Sequence, residues 1–152
     1  MANLIPSIGT CVARATSGER RLAERLEQKL DDDNMLWYDV PVGPKQSHPD
    51  FVVMYPRHGI LILETKDWKL ETIQQISRYG CDLLIYGQIT VVINPLQQAR
   101  HSAIQVVNTL ERDPLLIQPN SPHKGKLAFP WGHGMVFIRI TRITRKEFDD
   151  AG

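Results

Sequence analysis

A chain of 152 residues is expected to form one domain, and a hydrophobic content of 42% is enough to give it a real core. A net charge of +1 excludes a strongly basic nucleic-acid clamp, so any affinity for phosphate has to be local. Two cysteines, Cys11 and Cys81, show no C-x-x-C spacing and read as buried thiols in a reducing cytoplasm rather than a disulfide or a zinc site. No apolar run approaches membrane-spanning length and no signal peptide is evident, so a cytoplasmic location and no membrane partner are expected. P-loop, nucleophile-elbow and H-E-x-x-H patterns are all missing.

Residues 1–16, broken by Pro6 and Gly9, read as an irregular or partly helical arm. Ser17 is a suitable N-cap, and Leu22, Ala23, Leu26 and Leu30 then recur at helical spacing. Glu19 falls on the apolar side of that helix, near its start. It is either a first-turn partner of the helix dipole or a third acid aimed at a metal site. Arg20, Arg21, Arg25 and Lys29 take the other faces, most simply as a solvated surface. The run Asp31-Asp32-Asp33-Asn34 ends the helix and lacks the glycine and terminal glutamate of a calcium loop. Residues 35–40 read as a strand, and the loop 41–49 delivers the chain to Asp50, with His48 beside it.

The informative stretch follows. Residues 51–55 are strand-like, Pro56-Arg57-His58-Gly59 is turn chemistry, and Ile60 to Leu63 is an unbroken apolar run. Such a run reads as a central strand covered on both faces. Alternation puts Ile60, Ile62, Glu64 and Lys66 on one side, so two charges continue the line of a core face. An unpaired buried charge is costly unless it is compensated or neutralised. In an antiparallel hairpin that pairs Tyr55 with Gly59, Asp50 falls opposite Glu64 on the same face; pairing Tyr55 with Ile60 sends Asp50 to the wrong side. The sequence leaves both registers open. Asp50 with Glu64-x-Lys66 at strand ends fits metal-dependent phosphodiester hydrolysis. Carboxylate oxygens suit Mg²⁺ or Mn²⁺, and Lys66 is suited to hold the attacking water or offset charge on the phosphate. The competing reading is a solvated strand end with Asp50 capping a turn.

Trp68 reads as a half-buried aromatic. Residues 70–76, 81–86 and 89–93 look like shorter strands, the last two a hairpin that extends the sheet or forms a flap. Asn94-Pro95 is a helix start, with Leu96, Ala99, Ala103, Val106 and Leu110 on the buried face and Gln98 and His101 flanking it. Asp113-Pro114 stops that helix, 117–126 is a long loop, 129–134 is another, and 135–140 is a final strand. Arg139, Arg142, Arg145 and Lys146 form a basic cluster that either grips a backbone or is a solvated edge. A further helix is expected to begin at Thr144, as if the sequence were a piece of something longer.

This order of helix, strand, hairpin bearing Asp and Glu-x-Lys, then helix with Gln resembles the PD-(D/E)xK nuclease superfamily. More closely it resembles the nuclease-related domain, NERD. The matching pieces are Gly18-Glu19, Pro49-Asp50-Phe51-Val52-Val53, Gly59 through Leu63-Glu64-Thr65-Lys66, and Asn94-Pro95-Leu96-Gln97-Gln98. The likeness implies an α/β, restriction-endonuclease-like core: a central mixed sheet flanked by helices, in αβββαβ order, with an inserted small hairpin. It would span 17–143, between the arm and a helix or linker at 144–152. It further implies that Asp50 and Glu64 bind Mg²⁺ or Mn²⁺, with Thr65 in the metal set, that Lys66 is catalytic, and that Glu19 and Gln98 support the metal or the water. Lys69, Arg100 and His101 are the candidate nucleic-acid contacts. From Phe129-Pro130-Trp131-Gly132 onward the chain is similar to NERD domains that precede superfamily 1 helicases, which suggests a helicase domain in a longer chain. The expected activity is a nuclease acting on DNA in preference to RNA. The alternatives are a catalytically weak nucleic-acid-binding module that targets a helicase, and an interaction domain whose acids form an ion-pair network. Oligomeric state is left open.

Overall fold

Gly59 closes the central hairpin. Its φ is +102°, and a Cβ there would run into the carbonyl of Pro130, whose oxygen accepts a hydrogen bond from Ile60 N at 3.1 Å. Only glycine lets a distant loop approach the turn so closely. The computed structural model describes residues 1–120 and 122–139. Around this hairpin, formed by β3 (Phe51–Tyr55) and β4 (Gly59–Lys66), stand β1 (Asn3–Ile5), β2 (Met35–Tyr38) and β8 (Trp131–Phe137) in the order β1-β2-β3-β4-β8. β3 runs antiparallel to both β2 and β4, whereas β1 joins β2 and β8 joins β4 in parallel, so the sheet is mixed.

Two helices cover this sheet. α2 (Ser17–Lys29) lays Ala23, Leu22 and Leu26 against Leu36, Tyr38, Phe51 and Val53 on one face. α3 (Pro95–Leu110) lays Ala103, Val106 and Leu110 against Val52, Ile60 and Ile62 on the other. β4 therefore has a strand on either side and a helix on either face, as its apolar run predicts. α1 (Ile8–Arg14) precedes α2. The remaining strands, β5 (Ile73–Ile76), β6 (Gly80–Ile85) and β7 (Gln88–Ile93), make a separate three-stranded antiparallel sheet inserted between β4 and α3. The αβββαβ core with a small β insertion is thus observed.

Several local expectations are corrected. The opening residues are more regular than expected, because Asn3 to Ile5 pair with Met35 to Trp37 as an edge strand. Thr16, not Ser17, caps α2: its hydroxyl accepts from Glu19 N while the Glu19 carboxylate accepts from Thr16 N, a reciprocal capping box. Residues 70–72 form a 3₁₀ turn rather than strand, closed by Thr72 N donating to Lys69 O. In the first turn of α3, Pro95 takes the buried place and Leu96 is left 42% exposed. β8 begins at Trp131, inside the stretch expected to be loop. Gly132 and Gly134 look like turn residues, but they lie within the strand beside Leu61 and Leu63 of β4, where a Cβ would make only ordinary contact. Arg142, Arg145, Lys146 and the helix expected from Thr144 lie outside the described residues.

Candidate active site

The register is the one that brings the acids together. Tyr55 pairs with Gly59 and Phe51 with Leu63, so Asp50 is the next residue out, opposite Glu64. There the ladder gives way to side chains. Thr65 N donates to Asp50 Oδ2 at 2.8 Å, and the Thr65 hydroxyl donates to the same oxygen at 2.9 Å. Both donors serve one carboxylate oxygen, which fixes the group and leaves the second oxygen directed elsewhere. On the other side of Asp50, its main-chain carbonyl accepts from Asp39 N at 3.1 Å, continuing the β2–β3 pairing.

Glu64 is 4% exposed. Its pKa is pushed up to about 8, first by burial, then by the negative charge of Asp50. Lys66 opposes these effects, and its Nζ lies 3.8 Å from Glu64 Oε1. Asp50 is close enough to hydrogen-bond the protonated Glu64, and the charge of Glu19 raises the pKa a little further. The raised pKa favours the protonated form of Glu64 at neutral pH. Lys66 Nζ also lies over the ring of Trp68, 5.7 Å from its centroid, and Trp68 in turn packs against Phe137 with ring centroids 6.1 Å apart.

Glu19 arrives from the opposite layer. Its Oε2 accepts from Tyr38 OH at 2.7 Å, in addition to its bond with Thr16 N. Tyr38 is buried in the α2-side core beside Phe51, with ring centroids 5.3 Å apart. The start of α2 is held close by Gly18, where a Cβ would sit 2.7 Å from Ile138 Cγ2. Glu19 thus completes the helix cap, and its charge adds the smallest of the effects that raise the Glu64 pKa.

The other candidates stand at the margin. Gln98 is half-buried in the early part of α3, and its side chain has no hydrogen-bond partner among the described residues. Lys69, Arg100 and His101 are exposed and make no ion pair among the described residues. His48 Nδ1 sits 3.1 Å from Asp39 Oδ1, and Arg14 Nη2 is 3.0 Å from Asp39 Oδ2, so the histidine belongs to a flanking surface network. Arg139 pairs with Asp67 at 2.6 Å. Sequence reasoning missed Tyr38 and the clamp that Thr65 places on Asp50. A tyrosine alternating with Leu36 at the end of β2 is the one signal that pointed to the first, since a buried phenol needs a partner for its hydroxyl.

Hard oxygen donors, one of them in a nearly buried acid, form a donor set suited to a small divalent cation. Among the described residues no three His, Cys, Asp or Glu side chains form a closed metal-holding group. Two carboxylates are sufficient for Mg²⁺, which commonly keeps several of its waters. The residues present therefore fit such an ion as an open site, with Asp50 and Glu64 as its anchors.

Comparison with known proteins agrees with this geometry. The family model described as the nuclease-related domain, NERD, matches residues 14–130, a stretch that contains α2, the β2–β4 unit, the small sheet and α3 together with Asp50, Glu64 and Lys66. No curated protein and no solved structure matches the chain. No helix among the described residues is long and apolar enough to cross a membrane. With most of its length covered by that family model, including the strand ends where the carboxyl groups meet, the chain belongs to the nuclease-related domain family.

Proposed function

We propose that the domain hydrolyses phosphodiester bonds of nucleic acid, DNA ahead of RNA, using Mg²⁺ or Mn²⁺ held by Asp50 and Glu64 with Thr65 in the same cluster. The observation that carries this reading is the meeting of Asp50 and Glu64 at the end of a buried hairpin with the Lys66 amine 3.8 Å from the Glu64 carboxyl. A purely structural site has no need to bury an acid beside a second carboxylate that raises its pKa. When bound, the ion supplies Lewis-acid polarisation of a phosphoryl oxygen and a more acidic water. Thr65 holds Asp50 in a fixed rotamer. Lys66 positions the attacking water and offsets charge on the phosphoryl oxygens. A bond forms between that water oxygen and phosphorus, the bond from phosphorus to one sugar oxygen breaks, and the water's proton is passed on to the departing oxygen. Glu19, anchored by Tyr38 and Thr16, and Gln98 support the water and the ion, while Lys69, Arg100 and His101 contact the strand.

A second reading is favoured by the openness of the donor set, which no third acid closes among the described residues. It is a catalytically weak nucleic-acid-binding module that targets a helicase domain in a longer chain. One experiment separates the two. End-labelled single- and double-stranded DNA is incubated with Mg²⁺, Mn²⁺ or EDTA, for the wild type and for Lys66→Ala. The nuclease reading expects metal-dependent cutting that falls by about a hundredfold or more in the variant. Binding without cutting in either metal supports the module.

A further inference from the structure

The charged face of α2 is not evenly solvated. Arg21, Arg25 and Lys29 line one wall of a groove of about 460 Å³ whose other wall is Val136, Phe137 and Ile138 at the end of β8. β8 is the edge strand of the large sheet among the described residues. The three cations follow one another at intervals of four residues, so they form a straight row with steps of about 6 Å along the helix. None of them makes an ion pair or hydrogen bond among the described residues. Glu24 is the one carboxylate in the groove wall, so three uncompensated cations face a single acid. In a chain whose net charge is only +1, this concentration is local and unspent.

The groove also has a direction. At one end is Gly18, next to Glu19, and Phe137, which pairs with Lys66 across the β4–β8 ladder. From there the row of cations leads away from the acids along the helix, Lys29 lying about 16 Å from Gly18. The Phe137 ring packs against Trp68, over which the Lys66 amine lies, so aromatic surface stands on the Lys66 side of this sheet end.

We propose that this groove binds the sugar–phosphate backbone of a single nucleic-acid strand, with Arg21, Arg25 and Lys29 contacting successive phosphates and leading the strand to the Asp50–Glu64–Lys66 cluster. The assignment of the destination rests on the nuclease reading above; the binding itself does not. A polyanion with one charge per residue matches a row of evenly spaced cations. It also explains why the helix places its unpaired charges beside an edge strand rather than pairing them with neighbouring acids.

The test is equilibrium binding in EDTA, where no cutting occurs, read by fluorescence anisotropy of labelled oligo(dT) and oligo(rU) over a range of salt concentrations. The variants are the triple Arg21→Gln, Arg25→Gln, Lys29→Gln and a control, Arg112→Gln, whose exposed side chain follows α3, the helix on the opposite face of the sheet from α2. Thermal midpoints verify that both are folded. The expected result is at least a tenfold loss of affinity in the triple variant, with the slope of log affinity against log salt reduced by about 2, or roughly 0.7 per lost phosphate contact. The control should bind as the wild type does. The two oligonucleotides show whether the strand is DNA or RNA. Equal affinity and slope in wild type and triple variant, or no wild-type binding to either strand, would overturn the proposal. Hydrolysis of the small diester bis(p-nitrophenyl) phosphate by the wild type with Mn²⁺ is measured separately, because it needs the metal site and not the groove. Groove-dependent binding with no hydrolysis of that diester upholds the groove and defeats the nuclease reading.

Discussion

β4 and β7 start from the same kind of sequence and end in opposite situations. Ile60-Leu61-Ile62-Leu63 and Ile89-Thr90-Val91-Val92-Ile93 are both uncharged runs rich in β-branched or aliphatic residues. β4 lies between β3 and β8 with α2 and α3 packed above and below, whereas β7 is an edge with only β6 beside it. Ile62 is fully buried and Val91 is 70% exposed. An apolar run specifies a strand, but not what covers it. The difference also explains why charge is informative at one end of the molecule only. A carboxylate at the end of β4 is withdrawn from water and has to be compensated, and burial together with the charge of Asp50 pushes the Glu64 pKa up to about 8.

The sharpest way to break the contrast is to hollow out the large sheet. Phe51→Ala removes a side chain with no exposed surface from the α2-side core and is expected to lower unfolding stability by about 3–5 kcal/mol, read as a shift of the urea midpoint. If Phe51→Ala and Val91→Ala had similar effects, the two sheets would not differ as described.

Next in size is the pH response of Glu64. Its folded pKa lies above its ordinary value of 4.5, at about 8, so the folded state holds an extra proton between those limits. Without divalent ions, stability should fall as pH rises from about 4.5 through about 8, the strain being fully present above that and absent below the lower limit. Glu64→Gln should remove this slope and be more stable than the wild type by a few kcal/mol at pH 9, with little difference at pH 4. Thermal unfolding across that range, in EDTA, checks it. Adding Mn²⁺ should restore stability to the wild type at high pH and leave the variant unchanged. A smaller effect is expected from Thr65→Val, which keeps the main-chain donor to Asp50 but deletes the hydroxyl. The loss is about 1.5–3 kcal/mol for a hydrogen bond to a charged group, together with weaker metal binding by calorimetry. Least of all, Val91→Lys on the open face of the small sheet should change stability by no more than about 0.5 kcal/mol. A large loss there would mean that the face is covered in solution.

What was legible in the sequence divides along the same line. The β3–β4 hairpin, the Asn94 cap and the two core helices could be read because turn residues and periodicity are local signals. The register could not, since two pairings of Tyr55 satisfy the same turn, and only the collision at Gly59 with the Pro130 carbonyl shows what fixes that end of the hairpin. β1 was missed because three residues ending at a proline carry little pattern, and its strand character comes from parallel pairing with β2. The early part of β8 was hidden by its glycines, Gly132 and Gly134, which read as turn residues although they pair with Leu61 and Leu63 in the parallel ladder. Asp50, Glu64 and Lys66 could be picked out because charges continuing a greasy strand are conspicuous. Tyr38 and Thr65, which hold Glu19 and Asp50 in place, are ordinary residues until their partners are known.

The central claim is that Asp50 and Glu64 form one cation site. Anomalous diffraction from crystals grown with Mn²⁺ tests it most directly. A peak about 2.0–2.3 Å from oxygens of both residues, lost in Glu64→Gln, is the predicted result. A wild-type map with no peak there, or with manganese bound only elsewhere on the molecule, would contradict the account.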